Sequence, residues 1–355
     1  MGIRKNNGKS FRRKTVKRKR KSVKRKTTKR ITGKRLQKKQ RGGDNSLSHA
    51  VASGDIDEVN RLLAIDGVDV DAKNNDEYTP LHQAIRYNHP DIVKILLDKG
   101  ADINATAIGG KSPLYFATMD NHPEIVKILL DKGADVHAKD NYGNAPLNRA
   151  TGHYSNHPNI VKLLLDNGAD VHAKGMTGHT PLLSVTMAGD HPETVKLLLD
   201  KGADVNTKDS EGRTPLRWVI HNNTPEIAKI LLANGADMTI KDRDGDTPLL
   251  TATIHDKPEI VKILLDKGAD VNAKDRSGNA PLYWATNNNN PEIIALLNAA
   301  IAAKIAAIAA NKEKKRVSDF NVARPKSTSK HSSAAMSALQ QRGIFDNIRS
   351  YIPHK

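Results

Sequence analysis

The chain contains no cysteine, and only 13 of its 355 residues are Phe, Trp or Tyr. Without Cys there is no disulfide framework, no thiol nucleophile and no zinc site built on thiolates. Aromatics at 4% are thin filling for large three-dimensional cores, which draw their bulk from such rings. That scarcity points to a quasi-one-dimensional architecture in which each unit packs only on its neighbours. Acid is missing from one stretch altogether, because residues 1–41 hold 21 Lys and Arg and no Asp or Glu. No secretory signal is expected there, since further Lys and Arg stand where an apolar run belongs. No 18-residue apolar stretch is expected to span a membrane; the nearest, 299–310, is Ala-rich, carries Lys304 and follows Asn298. A soluble intracellular monomer is the expectation.

Charge is partitioned along the chain. Residues 42–298 carry 25 basic and 36 acidic side chains, a net −11, and residues 299–355 carry 11 and 3, a net +8. The overall +18 therefore describes none of the three segments.

Two markers repeat through the acidic middle in step. Pro-Leu dipeptides begin at Pro80, Pro113, Pro146, Pro181, Pro215, Pro248 and Pro281, spaced by 33 to 35 residues. Gly-Ala-Asp triplets begin at Gly100, Gly133, Gly168, Gly202, Gly235 and Gly268. A fixed period of this length is the mark of a solenoid. Each unit reads as helix, turn, helix, loop. Thr79 offers a hydroxyl cap and Pro80 suits the first helical position. Pro90 opens a second helix with an apolar stripe of Ile92, Val93, Leu96 and Leu97, and Gly100 supplies the left-handed residue that ends it. Loops such as 270–278 carry the Asp, Asn and Gly of a hairpin-like turn.

The pattern G-x-T-P-L-H-x-A, followed by E-I-V-K-L-L-L and G-A-D-V-N-A, resembles the ankyrin repeat family over about 47–297. The resemblance implies an all-α solenoid and a protein-binding scaffold that engages partners through its concave face and loop tips. The expected organisation is a disordered basic tail at 1–44, an array at 45–298 with a capping first repeat and seven repeats, a capping helix at 299–316, and a mostly disordered basic tail at 317–355 that includes a short helix around Phe345, Ile348 and Ile352. Departures are informative. His82 is replaced in later repeats by Tyr115, Asn148, Leu183, Arg217, Leu250 and Tyr283, and the capping hydroxyl is lost at Ala145 and Ala280. The unit from 143 to 173 carries two extra residues within 152–156.

On the first helix Gln83, Arg86 and Tyr87 turn away from Leu81, Ala84 and Ile85. The Gln83 slot is filled in later repeats by Phe116, Arg149, Ser184, Trp218, Thr251 and Trp284, so both tryptophans of the chain occupy it. A Trp there either packs on the neighbouring repeat or anchors a partner. Tyr87, Met119, Met187, His221 and Ile254 extend the same strip. The protein-binding candidates are therefore Tyr87, Phe116, Met119, Arg149, Met187, Trp218, His221, Ile254 and Trp284, with variable loop tips at Glu77, Tyr78, Ile108, Tyr142, Met176, Glu211, Arg213, Arg243 and Asp246.

Catalysis, metals and cofactors are not expected. His89, His122, His157 and His191 recur once per repeat, too far apart to share a metal, and read as structural turn residues. Residues 2–10 resemble a phosphate loop but have five residues between the glycines where four are needed. In the basic tail, Lys17, Arg18, Lys19, Arg20 and Lys21, with Lys24, Arg25 and Lys26, suit a nuclear-import receptor. The same charges would also bind nucleic acid non-specifically, an anionic membrane surface, or the acidic array itself. A nuclear location is the expectation. The alternative is a nucleic-acid-associated protein whose tail binds phosphates while the array recruits a partner.

Overall fold

The structure is a computed structural model that describes residues 1–355 in part: 46–152 and 157–322, with the side chains of 319–322 excepted. Within the first compact unit, Met1–Asn298, the described residues form helix pairs joined by loops, with no strand among them. Helix α1 (46–53) and α2 (Ile56–Leu63) make the first pair. The following pairs are α3 (Pro80–Arg86) with α4 (Pro90–Asp98), α5 (Pro113–Met119) with α6 (Pro123–Asp131), and α7 (Pro146–Ala150) with α8 (Pro158–Asp166). Then come α9 (Pro181–Ala188) with α10 (Pro192–Asp200), α11 (Pro215–Asn222) with α12 (Pro225–Ala233), and α13 (Pro248–Ile254) with α14 (Pro258–Asp266). Helix α15 (Pro281–Asn287) pairs with the start of α16 (Pro291–Val322).

Local chemistry fixes these boundaries. The hydroxyls of Thr79, Ser112, Thr180, Thr214 and Thr247 each accept the backbone N–H three residues on, which satisfies a donor that the first turn leaves orphaned. Between the helices the chain reverses through a left-handed residue, Asn88, Asn121, Asn223, Asp256 or Asn289, at φ of 53–57°. Asn and Asp are the non-glycine residues that tolerate this region best. The second helices α4, α6, α8, α10, α12 and α14 stop at a glycine such as Gly100, at φ 86°.

First helices stack on first helices and second on second, giving a two-layered array whose core runs unbroken between the layers. Ile92, Val93 and Leu96 are sealed in it, and Ile125, Val126 and Leu129 repeat them one unit later. Each such side chain contributes about 2 kcal/mol by leaving water. Leu97, expected in the stripe, is only half-buried. The reversal histidines sit at the head of the second helices, with the backbone N–H of His89 donating to Ala84 O at 2.8 Å.

The slot that begins with His82 couples neighbours. His82 Nε2 meets Lys111 O at 3.3 Å, Asn148 Nδ2 donates to Ala173 O at 2.7 Å, and Arg217 Nε donates to Asp242 Oδ2 at 2.9 Å. Leu183 and Leu250, in the same slot, are fully buried instead.

Beyond Asn298, α16 runs into the second unit, Ala299–Lys355. In that unit Ile305 is 62% and Ile308 51% exposed. The expectation that no 18-residue apolar stretch exists is also corrected: Pro291–Ser318 contains such a window at mean hydropathy 2.2, long and apolar enough to cross a membrane by length and composition. Ile293 and Leu297 of this helix are fully buried core of the last repeat, and 11% of the window is buried.

Candidate functional site

Reading the Gln83 slot together with the residue nine positions earlier, at the head of each loop, shows how the site arises. The pairs are Asn74 with Gln83, Ala107 with Phe116, Asp140 with Arg149, Gly175 with Ser184, Asp209 with Trp218, Asp242 with Thr251, and Asp275 with Trp284. In a standard loop the head carboxylate organises the turn. Asp209 Oδ1 accepts the amides of Glu211 and Arg213, both at 2.9 Å, and Asp275 Oδ1 does the same for Ser277 and Asn279 at 2.8 Å. The second oxygen accepts Arg213 Nε at 2.8 Å in one loop and Asn279 Nδ2 at 3.2 Å in the other, and it takes the slot residue as well. Trp218 Nε1 donates to Asp209 Oδ2 at 3.2 Å, and Trp284 Nε1 donates to Asp275 Oδ2 at 2.9 Å.

At Gly175 and Ser184 both members of the pair are reduced to almost nothing. The loop loses its carboxylate, and Met176 N donates instead to Asn144 Oδ1 of the preceding repeat at 2.9 Å. Helix α7 is also shorter than its counterparts, ending at Ala150. An open groove of about 590 Å³ fills the space, with Arg149 of α7 at one end, Ser184 and Met187 of α9 between, and Trp218 and His221 of α11 at the other. Its lining is drawn mainly from the repeats of α7, α9 and α11, with Tyr115 of α5 added from a fourth.

The two ends differ in character. Trp218 stands half-buried, with the Arg213 guanidinium 4.2 Å from its ring centroid and His221 edge-on at 6.0 Å. At the other end Arg149 Nε is buried with no hydrogen-bond partner. Burial, then the neighbouring Asp140 carboxylate, pushes the Tyr115 phenol up to about 12, so it enters the groove protonated. Burial raises the Asp120 carboxyl, against the pull of nearby cations that include Arg149. Among the described residues no Asp or Glu lines the groove.

Of the residues singled out from sequence, Arg149, Met187, Trp218 and His221 therefore meet in one groove. Phe116 does not join them. It is buried, packed edge-on to Tyr78 at 5.4 Å and His82 at 5.3 Å across a repeat boundary. Trp284 is half-buried against its own loop and does not line this groove, Met119 and Ile254 are half-buried, and Tyr87 is 52% exposed. The two expected orientations for Trp, toward a neighbour or toward a partner, both omitted the tie to the residue's own loop. Tyr115, Asn144, Asn148, His179 and Asn222 also line the groove and were not singled out. The signal that would have found them is the pair of small residues, Gly175 and Ser184, in columns that otherwise hold larger side chains. The loop tips Ile108, Tyr142 and Met176 are exposed. Lys17 to Lys26 lie outside the described residues. Among the described residues no three His, Asp or Glu gather as a metal site.

Comparison with known proteins agrees with this repeat structure. A family model described as ankyrin repeats (3 copies) matches residues 21–107, 106–175, 154–242 and 220–307. Its first match begins earlier than the resemblance read from the residues, which starts at about 47. Over 48 residues the chain is 48% identical to Ankyrin repeat domain-containing protein 49 of Drosophila melanogaster, which is 14% of this chain and 22% of that protein. The chain thus aligns with about a fifth of that relative's length.

Proposed function

Because the chain belongs to the ankyrin repeat family, whose architecture supports a general protein-binding role, we propose that it is a non-enzymatic scaffold that captures a protein partner in the groove between α7, α9 and α11. The observation that carries this reading is the convergence of Arg149, Met187, Trp218 and His221, from three successive repeats, on one groove. Trp and Arg are among the side chains that most often dominate binding energy at interfaces, and a concave site buries more of a ligand than a flat one. The basic tail serves as a separable address that brings the scaffold to the nucleus or to polyanions. Its support is compositional: 21 Lys and Arg without one acid in residues 1–41.

The same tail favours a second reading, a nucleic-acid-associated protein in which residues 1–41 are the principal effector. Proximity labelling separates the two. Replacing Lys17, Arg18, Lys19, Arg20, Lys21, Lys24, Arg25 and Lys26 by Gln should change where the protein resides and leave its labelled partners in place. Loss of all partners with the tail charges, or nuclease-sensitive association, would establish the second reading. Trp218→Ala should reduce capture, whereas Trp284→Ala, outside the groove, should not.

A further inference from the structure

We propose that the groove recognises an acidic side chain, an Asp or Glu of an extended partner peptide, with its carboxylate on the Arg149 guanidinium and its flanking residues against Met187 and Trp218. This rests on the groove being the protein-binding site and specifies what it binds.

Three observations point to it. First, residues 42–298 carry a net −11, yet among the described residues no Asp or Glu lines the groove, and its one permanent charge is Arg149. An acidic array has cleared its carboxylates from this one place. Second, Arg61 is paired with Glu58 at 2.6 Å, Arg213 with Asp209 at 2.8 Å and Arg217 with Asp242 at 2.9 Å, and the array's other arginines without an ion pair among the described residues, Arg86, Arg243 and Arg276, are exposed. Arg149 has no such pair among the described residues, and its Nε is buried without a hydrogen bond. The nearby loop carboxylate Asp140 is occupied by its own turn, accepting from Tyr142 N at 3.0 Å and Asn144 N at 2.8 Å. A guanidinium left without an acceptor in a partly desolvated wall is prepared for one from outside, and its planar fork matches a carboxylate. Third, Met187 of α9 and Trp218 of α11 line the same groove and offer a surface for apolar neighbours of the acid. The charge count selects a carboxylate over a phosphate. One cation balances one carboxylate, whereas a phosphate of nearly two negative charges would lack a second partner here.

The test uses the full-length chain, so that the basic tail is present in every arm. A random dodecapeptide phage library is panned on the wild-type protein and counter-selected on Ser184→Trp. That substitution plugs the groove with a side chain which the equivalent slot already holds at Trp218 and Trp284. Enriched peptides are expected to share an Asp or Glu at a fixed position beside apolar residues. Synthetic copies should bind Arg149→Gln about tenfold or more weakly, the size of one charge-assisted contact. Changing the peptide's acid to its amide should cost the same, and the two changes together little more than either alone. Arg149→Lys, which keeps the charge and loses the fork, should restore part of the affinity. Unchanged thermal midpoints for the variants show that the array remains folded. Enriched peptides without a fixed acid, or with affinity for Arg149→Gln within about twofold of wild type, overturn the acidic specificity and leave the groove as a binding site. No enrichment of wild type over Ser184→Trp overturns both.

Discussion

Trp218 donates its indole N–H to Asp209 Oδ2 at 3.2 Å, and the same nine-residue step joins Trp284 to Asp275 at 2.9 Å. The Asp209 side chain is fully buried; besides the indole it holds two loop amides and the Arg213 guanidinium. It is the point at which helix and loop of one repeat are tied. Trp218→Phe keeps a ring and removes the N–H, and should cost about 1 kcal/mol in urea unfolding. Asp209→Ala strands several donors in a buried place and should cost about 3 kcal/mol. If the tie is real, the double variant should lose less than the two single losses added together.

The helices that begin after Ala145 and Ala280 lack a side-chain cap, while Ser or Thr caps the first helix in the other Pro-Leu repeats. The pocket at the Ala145 slot accepts a hydroxyl residue elsewhere, with Thr79, Thr180, Thr214 and Thr247 all buried at the same position. Ala145→Thr and Ala280→Thr should each stabilise the array by about 1 kcal/mol. Hydrogen exchange should slow first in α7 and α15, respectively. Uniform protection along the wild-type array would contradict the premise that these units are the weak ones.

Glu77 adopts φ 63°, two residues before a helix cap, where the later repeats place Gly110, Gly143, Gly178, Gly212, Gly245 and Gly278. A side chain in the left-handed region costs about 1–2 kcal/mol, part of which is returned as the greater entropy of an unfolded glycine. Glu77→Gly is therefore expected to raise stability by about 0.5–1 kcal/mol in thermal or urea unfolding. The opposite sign would show that Glu77 makes a compensating contact.

Much of this architecture was legible in the residues because it is local. The Thr-Pro-Leu start, the Gly-Ala-Asp stop and the 33-residue period each have a mechanism that acts within a few residues, and they placed every Pro-Leu helix and its pair. The strip of candidate residues was legible only as a set of positions. Helical phase shows that Gln83, Phe116 and Trp218 leave the local core, but what each meets is decided by the loop head nine residues earlier and by the next repeat. Thus Phe116, opposite Ala107, sinks between Tyr78 and His82, while Trp218 is held up by Asp209. The groove was hidden because it is made by missing volume at Gly175 and Ser184, and residue-by-residue inspection weighs what is present.

One buried and one half-buried group give stability opposite dependences on pH in one window. Burial pushes the His82 imidazole down to about 4, against a bond to Lys111 O. The native state keeps it neutral while the unfolded chain protonates it from about 6.5 downward, so its contribution is present above 6.5 and lost as pH falls toward 4. Burial, then the charges of Asp242, Asp275 and Asp244, pushes the Asp246 carboxyl up to about 6. One of its oxygens, Oδ1, is buried without a partner. Here the native state holds the proton more tightly than the unfolded chain, so stability is gained below the unfolded value and lost as pH rises through about 6. Asp246→Asn should accordingly stabilise the protein at pH 7.5, by about 1 kcal/mol after allowance for partial exposure, and the gain should vanish as pH falls toward 4. His82→Asn places a residue that serves the same slot at Asn148. It should be less stable than wild type at pH 7.5, and that deficit should narrow as pH falls from 6.5 toward 4. Comparing thermal midpoints of each variant with wild type at the same pH cancels the other titrating groups. A gap of constant size across the window, for either variant, would remove that residue from the account.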